Sequence, residues 1–177
     1  MQSRKARDRV KAADPEALRS IAKRIAEWAS AGYFPGCFTR ETVLVPVPGR
    51  APRRSPDTLW VPQRICEALH AAGLGREIWT ALERTKAIPK SAFAERGGRP
   101  ELQVHRESLG VTSPLAPTRT VLLVDDFVTK GRTLLAAAQV LEQAIPGLDI
   151  RAFAVVRTMG LVPDVEEIRW PVVGEIR

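Results

Sequence analysis

Several features that mark particular protein classes are scarce in this sequence. Only two of its 177 residues are cysteines, Cys37 and Cys66, and they form no CxxC pair. This argues against a disulfide scaffold and fits free thiols in a reducing cytoplasm. Apolar runs such as those at residues 121–124 and 134–138 are far too short to cross a bilayer. The basic N-terminus has no apolar stretch after it, so no signal peptide is predicted. We expect a cytoplasmic protein with no membrane partner.

Acidic residues are also in deficit. Lys and Arg together number 27 against 20 for Asp and Glu, which gives a net charge of +7. This balance favours an anionic partner, either nucleic acid, an acidic surface or a phosphorylated small molecule. The motifs GxGxxG, GxxxxGK[ST], GxSxG and HExxH are all absent. No RNP-type aromatic motif or helix-turn-helix signal occurs either, so nucleic-acid binding stays open without a motif behind it.

Apolar strands alternate with amphipathic helices along the chain. Asp14-Pro15 is a good helix start, and apolar residues then recur at helical spacing until Gly32. Short strands are predicted at residues 41–47, 78–82, 108–111, 120–124 and 150–156, and further helices from Ser55-Pro56 and over 132–144. This order predicts an α/β fold with a mostly parallel central sheet flanked by helices.

Two basic segments stand out from this pattern. Residues 1–13 carry a strong positive excess and are predicted to be an N-terminal arm, most simply a solvated helical extension. Residues 14–177 then form a single domain. Within it, residues 84–106 lose apolar periodicity and are again basic, as expected for a long functional loop. His105 is interpreted as a solvated histidine of that loop, with a role in catalysis as the alternative. Cys66 and His70 are interpreted as a packed thiol and an ordinary histidine rather than half a metal site.

The most informative segment runs from Val121 to Thr133 and reads VLLVDDFVTKGRT. Asp125 and Asp126 follow a buried strand, at the sheet edge where open α/β sheets bind ligands. A turn containing Gly131 then enters a helix, whose first N–H groups and partial positive charge suit a phosphate. Carboxylates accept hydrogen bonds from sugar hydroxyls and hold Mg²⁺. A phosphorylated sugar needs both features at this separation.

This segment resembles the phosphoribosyl-pyrophosphate binding motif of type I phosphoribosyltransferases. The resemblance covers four apolar residues, two acids and a Thr/Gly-rich loop that ends in Thr. It implies that Asp125 and Asp126 contact the ribose hydroxyls and, through water or the ligand, Mg²⁺. It assigns the 5′-phosphate to a set of loop residues: Thr129, Lys130, Gly131, Arg132 and Thr133. Lys130 stands where that family often has Thr.

The resemblance extends less specifically to other segments. VLVPVPGR is similar to the strand and pyrophosphate loop of the ComF-like branch, which implies that Gly49, Arg50 and Ala51 bind pyrophosphate. The basic stretch 84–106 falls where the family has its mobile catalytic loop, so that Lys86, Lys90 or Ser91 close over the pyrophosphate. The family also implies a small hood built from terminal segments and a homodimer.

Phosphoribosyl transfer from 5-phosphoribosyl-1-pyrophosphate to a nucleobase-type nitrogen, with release of pyrophosphate, is therefore the expected function. A non-catalytic regulator or a defence-type accessory protein of the same fold, binding the sugar phosphate and nucleic acid, is the alternative. A strand ending in Asp-Asp also occurs near the start of response-regulator receiver domains, but here it lies late in the chain. An ordinary strand–turn–helix with two solvated acids is the remaining interpretation.

Overall fold

A parallel sheet forms the centre of the molecule. The structure, a computed structural model, describes residues 8–88, 102–113 and 116–157. Its strands are β1 (Val43–Pro46), β2 (Glu77–Ile78), β3 (Leu82–Arg84), β4 (Leu109–Val111), β5 (Thr120–Val128) and β6 (Asp149–Arg157). The order β2-β1-β5-β6 makes a four-stranded sheet in which every neighbouring pair is parallel. β3 and β4 form a separate antiparallel pair.

Helices cover both faces of this sheet. They are α1 (Pro15–Ser30), α2 (Val61–Ala71), α3 (Leu102–Glu107) and α4 (Arg132–Ala144). Val45, Val121 and Leu123 pack on one face with α4 and the β3–β4 pair. Leu44 and Leu122 pack on the other face with α1 and α2. Because the sheet is buried on both faces, its central strands are continuous apolar runs. The predicted α/β fold, a parallel sheet flanked by helices, is confirmed.

The first helix and the residues before it pack as one unit. Asp14 caps α1, since its carboxylate accepts a hydrogen bond of 2.9 Å from the N–H of Ala17, as predicted. Residues 8–11 are helical. Val10 is only 1% exposed and packs with the core residues of α1 and α2. The described part of the basic arm is therefore anchored in the core, which differs from the solvated extension that its charge suggested.

The second helix begins later than the sequence indicated. Ser55 and Thr58 form a closed turn, in which the N–H of Thr58 donates to the carbonyl of Ser55 at 3.1 Å. The Trp60 indole donates to the carbonyl of Val47 at 2.8 Å. This contact fixes Trp60 beside the end of β1, and α2 begins at the next residue. The prediction of a helix from Ser55-Pro56 is wrong because hydroxyl-bearing residues favour local turns over helix.

Other local predictions also have clear outcomes. The predicted strand 78–82 is two short strands, β2 and β3, that belong to different sheets. Cys66 is fully buried among the core residues of α1 and α2, and burial raises the pKa of its thiol, so the packed thiol is confirmed. Within residues 8–88, 102–113 and 116–157, no helix has the length and apolar character needed to cross a membrane.

Candidate functional site

The acid pair lies on β5, just beyond the point where the neighbouring strand β1 ends. β1 ends at Pro46, opposite Val124, while β5 and β6 remain paired as far as Val128 and Arg157. Asp125 and Asp126 therefore lie beyond the end of β1, at the carboxyl edge of the sheet. The predicted end of the strand at Val124 is wrong, because β6 continues to supply backbone partners. This stepped edge is the usual ligand position in open parallel sheets.

The strand loses its regular alternation at the two acids. Leu122 and Val124 face the cluster formed with α1 and α2, and strict alternation would send Phe127 to the opposite face. Phe127 instead packs against that same cluster. The pairing register with β6 skips Asp126. The carboxylate of Asp125 accepts from the N–H of Asp126 at 2.9 Å, and that of Asp126 from the N–H of Phe127 at 3.0 Å. This irregular step lets two consecutive side chains approach each other.

Electrostatics make the pair receptive to a cation or to hydroxyl donors. Burial raises the pKa of Asp125 well above its usual range, and the charge of Asp126 and a hydrogen bond between the two carboxyls raise it further. The positive charge of Arg84 opposes this rise without offsetting it. Crowded carboxylates of this kind hold protons more tightly than free ones. The pair is therefore chemically suited to ligands that donate hydrogen bonds or carry positive charge.

The turn after β5 leads into the N-terminus of α4, the kind of position that suits an anion. Gly131 caps α4 with a φ of 70°, a left-handed conformation that favours glycine. The helical ladder begins where the N–H of Leu135 donates to the carbonyl of Gly131 at 2.9 Å. The N–H groups of the first turn lie ahead of that ladder, at the positive end of the helix dipole. Thr129 and Lys130 are exposed beside them, and Arg132 and Thr133 are half-buried. The predicted phosphate loop thus directly adjoins the acid pair.

His105 lies against this turn. It is only 8% exposed, and its ring Nδ1 lies 3.4 Å from the hydroxyl of Thr133. Burial lowers the pKa of His105, and the positive charges of Arg84 and Arg132 lower it further. The interpretation of His105 as a solvated loop residue is wrong. His105 is the buried residue of α3. A helix of six residues is too short to be predicted from apolar periodicity.

This environment predicts a loss of stability on acidification. Because the pKa of His105 is lower in the fold, the unfolded chain binds protons first as the pH falls. The contribution of neutral His105 to the unfolding free energy is fully present above about pH 6.5. It is lost as the pH drops through the lower folded-state pKa of His105. His105→Gln should therefore show a smaller fall in unfolding free energy between pH 7.5 and 5.5, measured by urea denaturation. The exposed His70 supplies the control, His70→Gln. Equal pH dependence in wild type and His105→Gln would contradict the assignment.

The loop after β1 reaches the same edge of the sheet. β1 and β5 are parallel neighbours, so Gly49, Arg50 and Ala51 follow the strand end beside the acids, and all three are exposed. The carbonyl of Arg50 accepts from the N–H of Ile88 at 2.8 Å. Further along, the Arg53 guanidinium stacks on the Trp60 ring, 4.3 Å from its centroid. The predicted pyrophosphate loop and phosphate loop thus start from adjacent strands.

Of the two lysines predicted in the mobile loop, only Lys86 lies within the described residues. Lys86 is exposed, two residues beyond the end of β3. Lys90 and the neighbouring Ser91 lie outside the described residues, so their place at the site stays a prediction. Arg84, by contrast, was not singled out from the sequence, where it is one of many arginines. In the structure it is buried at 4% exposure and donates to the carbonyl of Gly49 at 2.8 Å.

The donor set fits Mg²⁺. Asp125 and Asp126 are adjacent carboxylates, and although burial is the main cause of the raised pKa of Asp125, the negative charge of Asp126 adds to it. A cation would relieve this second contribution. Among the described residues, no group of three or more His, Cys, Asp or Glu side chains is placed to hold a metal by itself. Mg²⁺ commonly binds one or two carboxylates together with substrate phosphates and water. The pair is suited to that mode of binding.

An open pocket of about 580 Å³ lies elsewhere, between α3, α4 and the start of β6. The side-chain oxygen of Gln139 is buried in this region without a hydrogen-bond partner among the described residues. The pocket contains neither acid of the pair and none of the phosphate-loop residues. It is lined by Arg106, Ala138, Gln139, Glu142, Gln143, Leu148 and Ile150.

Comparisons with known proteins found similarity to solved structures. No protein-family model matches the chain, and no curated protein does. A crystal structure of HGPRT-ase from Leishmania tarentolae in complex with GMP is similar at 14% identity and a TM-score of 0.38, over 85% of this chain and 67% of that one. A hypoxanthine phosphoribosyl transferase from Trypanosoma cruzi is similar at 16% identity and a TM-score of 0.37, over 89% of this chain and 70% of that one. Both TM-scores lie below 0.5, so the function proposed below depends on the site alone.

Proposed function

We propose that this protein binds 5-phosphoribosyl-1-pyrophosphate with Mg²⁺ and transfers the phosphoribosyl group to a nitrogen of a nucleobase-type acceptor. One observation carries the proposal: two crowded carboxylates at a stepped sheet edge directly adjoin a glycine-capped helix N-terminus. The carboxylates suit ribose hydroxyls and the helix N-terminus suits a phosphate. Neither feature alone selects a sugar phosphate, but their separation by only a few residues does.

Each part of the ligand has a place in this proposal. Asp125 and Asp126 accept hydrogen bonds from the 2′- and 3′-hydroxyls of the ribose. The turn from Thr129 to Thr133 holds the 5′-phosphate. The loop of Gly49, Arg50 and Ala51 holds the pyrophosphate from the neighbouring strand. The family resemblance assigns Lys86 and Lys90 to the loop that closes over the same group and excludes water.

The chemistry is a displacement at the anomeric carbon. The bond from C1 to the pyrophosphate oxygen breaks, a bond from the acceptor nitrogen to C1 forms, and the proton lost by that nitrogen passes to water. Asp125 and Asp126 orient the ring and favour the positive charge that develops on it. The basic loop residues stabilise the departing pyrophosphate and keep water from C1. Bound Mg²⁺ supplies further neutralisation of the phosphate charge.

The segment VLVPVPGR supports placement nearest the ComF-like branch of the type I phosphoribosyltransferases, and that family resemblance suggests a homodimer. The two free cysteines support a reducing compartment such as the cytoplasm.

Isothermal titration with phosphoribosyl pyrophosphate, with and without Mg²⁺, tests the binding step. We expect saturable binding that strengthens when Mg²⁺ is present. A pyrophosphate-release assay against a panel of purine and pyrimidine bases then tests transfer. Release with at least one base supports the enzyme. Binding without release under every acceptor favours the non-catalytic regulator, and absence of binding rejects both.

A further inference from the structure

Arg84 is a buried cation held by neutral groups. Its Nε donates to the carbonyl of Gly49 at 2.8 Å, and its Nη2 lies 3.5 Å from the carbonyl of Pro48. Its Nη1 donates to the hydroxyl of Ser108 at 2.7 Å and to the carbonyl of His105 at 3.3 Å. None of the ion pairs formed within the described part of the chain includes Arg84.

This burial is costly for stability alone. Removing a cation from water is unfavourable when no carboxylate contacts it, and burial lowers the pKa of Arg84 to about 10, although the negative charge of Asp125 opposes this fall. An apolar side chain would avoid that cost but would leave the carbonyls of Pro48 and Gly49 without the Arg84 donors. A planar guanidinium, however, aims several donors in fixed directions at once. What Arg84 supplies is therefore the orientation of the groups that it holds.

Those groups begin the loop after β1. In a planar trans peptide the carbonyl and the following N–H point in opposite directions, and the described residues contain no cis peptide bond. When Arg84 draws the carbonyls of Pro48 and Gly49 towards itself, the N–H groups of Gly49 and Arg50 are turned away from it. Successive N–H groups presented together form a concave site for an anion. The position of Arg84 thus fixes the direction in which this loop offers its donors.

The other side of Arg84 is linked to α3 by hydrogen bonds. The hydroxyl of Ser108 donates onward to the carbonyl of Val104 in α3 at 2.7 Å. His105 of the same helix lies against Thr133 in the first turn of α4. Through α3, Arg84 therefore relates the loop after β1 to the turn after β5. The two loops start from adjacent strands, and this network adds a second connection between them.

We propose that Arg84 is a positioning residue that holds the loop of Gly49 and Arg50 in the conformation that receives the pyrophosphate end of the ligand. This inference rests on the proposed function. Arg84 touches the loop's carbonyls and acts on the ligand through the loop's N–H groups. Its loss should weaken recognition of a pyrophosphate group more than recognition of the ribose 5-phosphate portion.

The test compares two ligands on the full chain. Affinities for phosphoribosyl pyrophosphate and for ribose 5-phosphate are measured by calorimetry with Mg²⁺ present. Arg84→Met also removes a positive charge that acts on Asp125, and this change affects both ligands alike. We therefore expect phosphoribosyl pyrophosphate binding to weaken at least tenfold more than ribose 5-phosphate binding. Arg84→Lys, which retains the charge but lacks the planar fork, should lose less and so restore part of the preference. If Arg84→Met fails to fold, Arg84→Lys alone carries the comparison.

Arg76→Met is the matched control, because it removes an exposed arginine at the amino end of the sheet, where it pairs with Glu41 at 3.8 Å and with Glu77 at 3.6 Å. It should leave the ratio of the two affinities unchanged. If the Arg84 variants leave the ratio of the two affinities unchanged, because both ligands lose affinity equally or neither does, the positioning role is overturned. If the wild-type protein binds both ligands but the Arg84 variants behave in this way, only the positioning role is rejected. If the wild-type protein binds neither ligand, the proposed function is rejected as well.

Discussion

Replacing both acids, Asp125→Asn with Asp126→Asn, is expected to lower the affinity for phosphoribosyl pyrophosphate by a factor of a hundred or more. Each hydrogen bond to a charged acceptor contributes about 1.5–3 kcal/mol, and a hundredfold loss corresponds to about 2.7 kcal/mol. Asn retains one oxygen acceptor but carries no charge for ribose hydroxyls or Mg²⁺. Calorimetry with wild type and the double variant measures the difference.

The same variant should remain folded and be at least as stable as wild type at pH 7.5. The pKa of Asp125 is raised in the fold, so the folded state loses stability relative to the unfolded one as the pH rises from about 3.8 through the raised value. Asn removes that cost, and a gain of about 1 kcal/mol is of the size seen when strained sites are relieved. Urea denaturation measures it.

Asp149→Asn is the matched control for the double variant. Asp149 is an exposed acid at the opposite end of the sheet, where β6 begins, and it pairs with Arg151 at 3.3 Å. Its replacement should leave ligand affinity unchanged. Wild-type affinity in the double variant would contradict the assignment of the site, whereas a similar loss in Asp149→Asn would indicate a general effect of charge.

The second large effect is expected from Gly131→Ala. A non-glycine residue in the left-handed region costs about 1–2 kcal/mol, and relief of that strain would rotate the N–H groups at the start of α4. We expect both a lower unfolding free energy and a loss of affinity for ribose 5-phosphate on the order of tenfold or more. Chemical denaturation and calorimetry measure the two quantities separately.

The chain offers a matched control just beyond the other end of the same helix. Gly147 has a φ of +84°, and a Cβ added there meets nothing within 4 Å. Gly147→Ala should therefore cost a similar amount of stability through backbone strain while preserving ligand affinity. Equal affinity losses in the two variants would show that helix stability, rather than the geometry of the phosphate turn, controls binding.

Much of this architecture could be read from local patterns. The Asp14 cap and the apolar run of β5 specify their elements through neighbouring residues alone, and the turn at Gly131 follows from the same kind of signal. The later course of β5 could not be read in this way, because residues 125–128 stay extended only where β6 accompanies them. The start of α2 depended on a contact between Trp60 and Val47, which is also distant in the sequence.

The candidate site also contains residues that local sequence identifies and residues that only contacts distant in the sequence identify. The carboxylates and the phosphate turn are contiguous, so their chemistry is visible in thirteen consecutive residues. Arg84 and His105 act through partners far along the chain, Gly49 and Thr133 respectively. Composition made Arg84 one charge among many in a basic stretch. Only its burial identifies it as a residue with a specific task.

The pairing of β1 with β5 also bears on how the protein folds. These strands are central in the sheet yet far apart in the sequence. Contacts between distant segments slow folding because the entropy cost of closing the long intervening loop must be met before they form. The loop at Gly49 and the turn at Gly131 meet only once this pair has closed. A ligand that bridges them cannot be captured by the unfolded chain, so saturating ligand should raise the melting temperature by mass action.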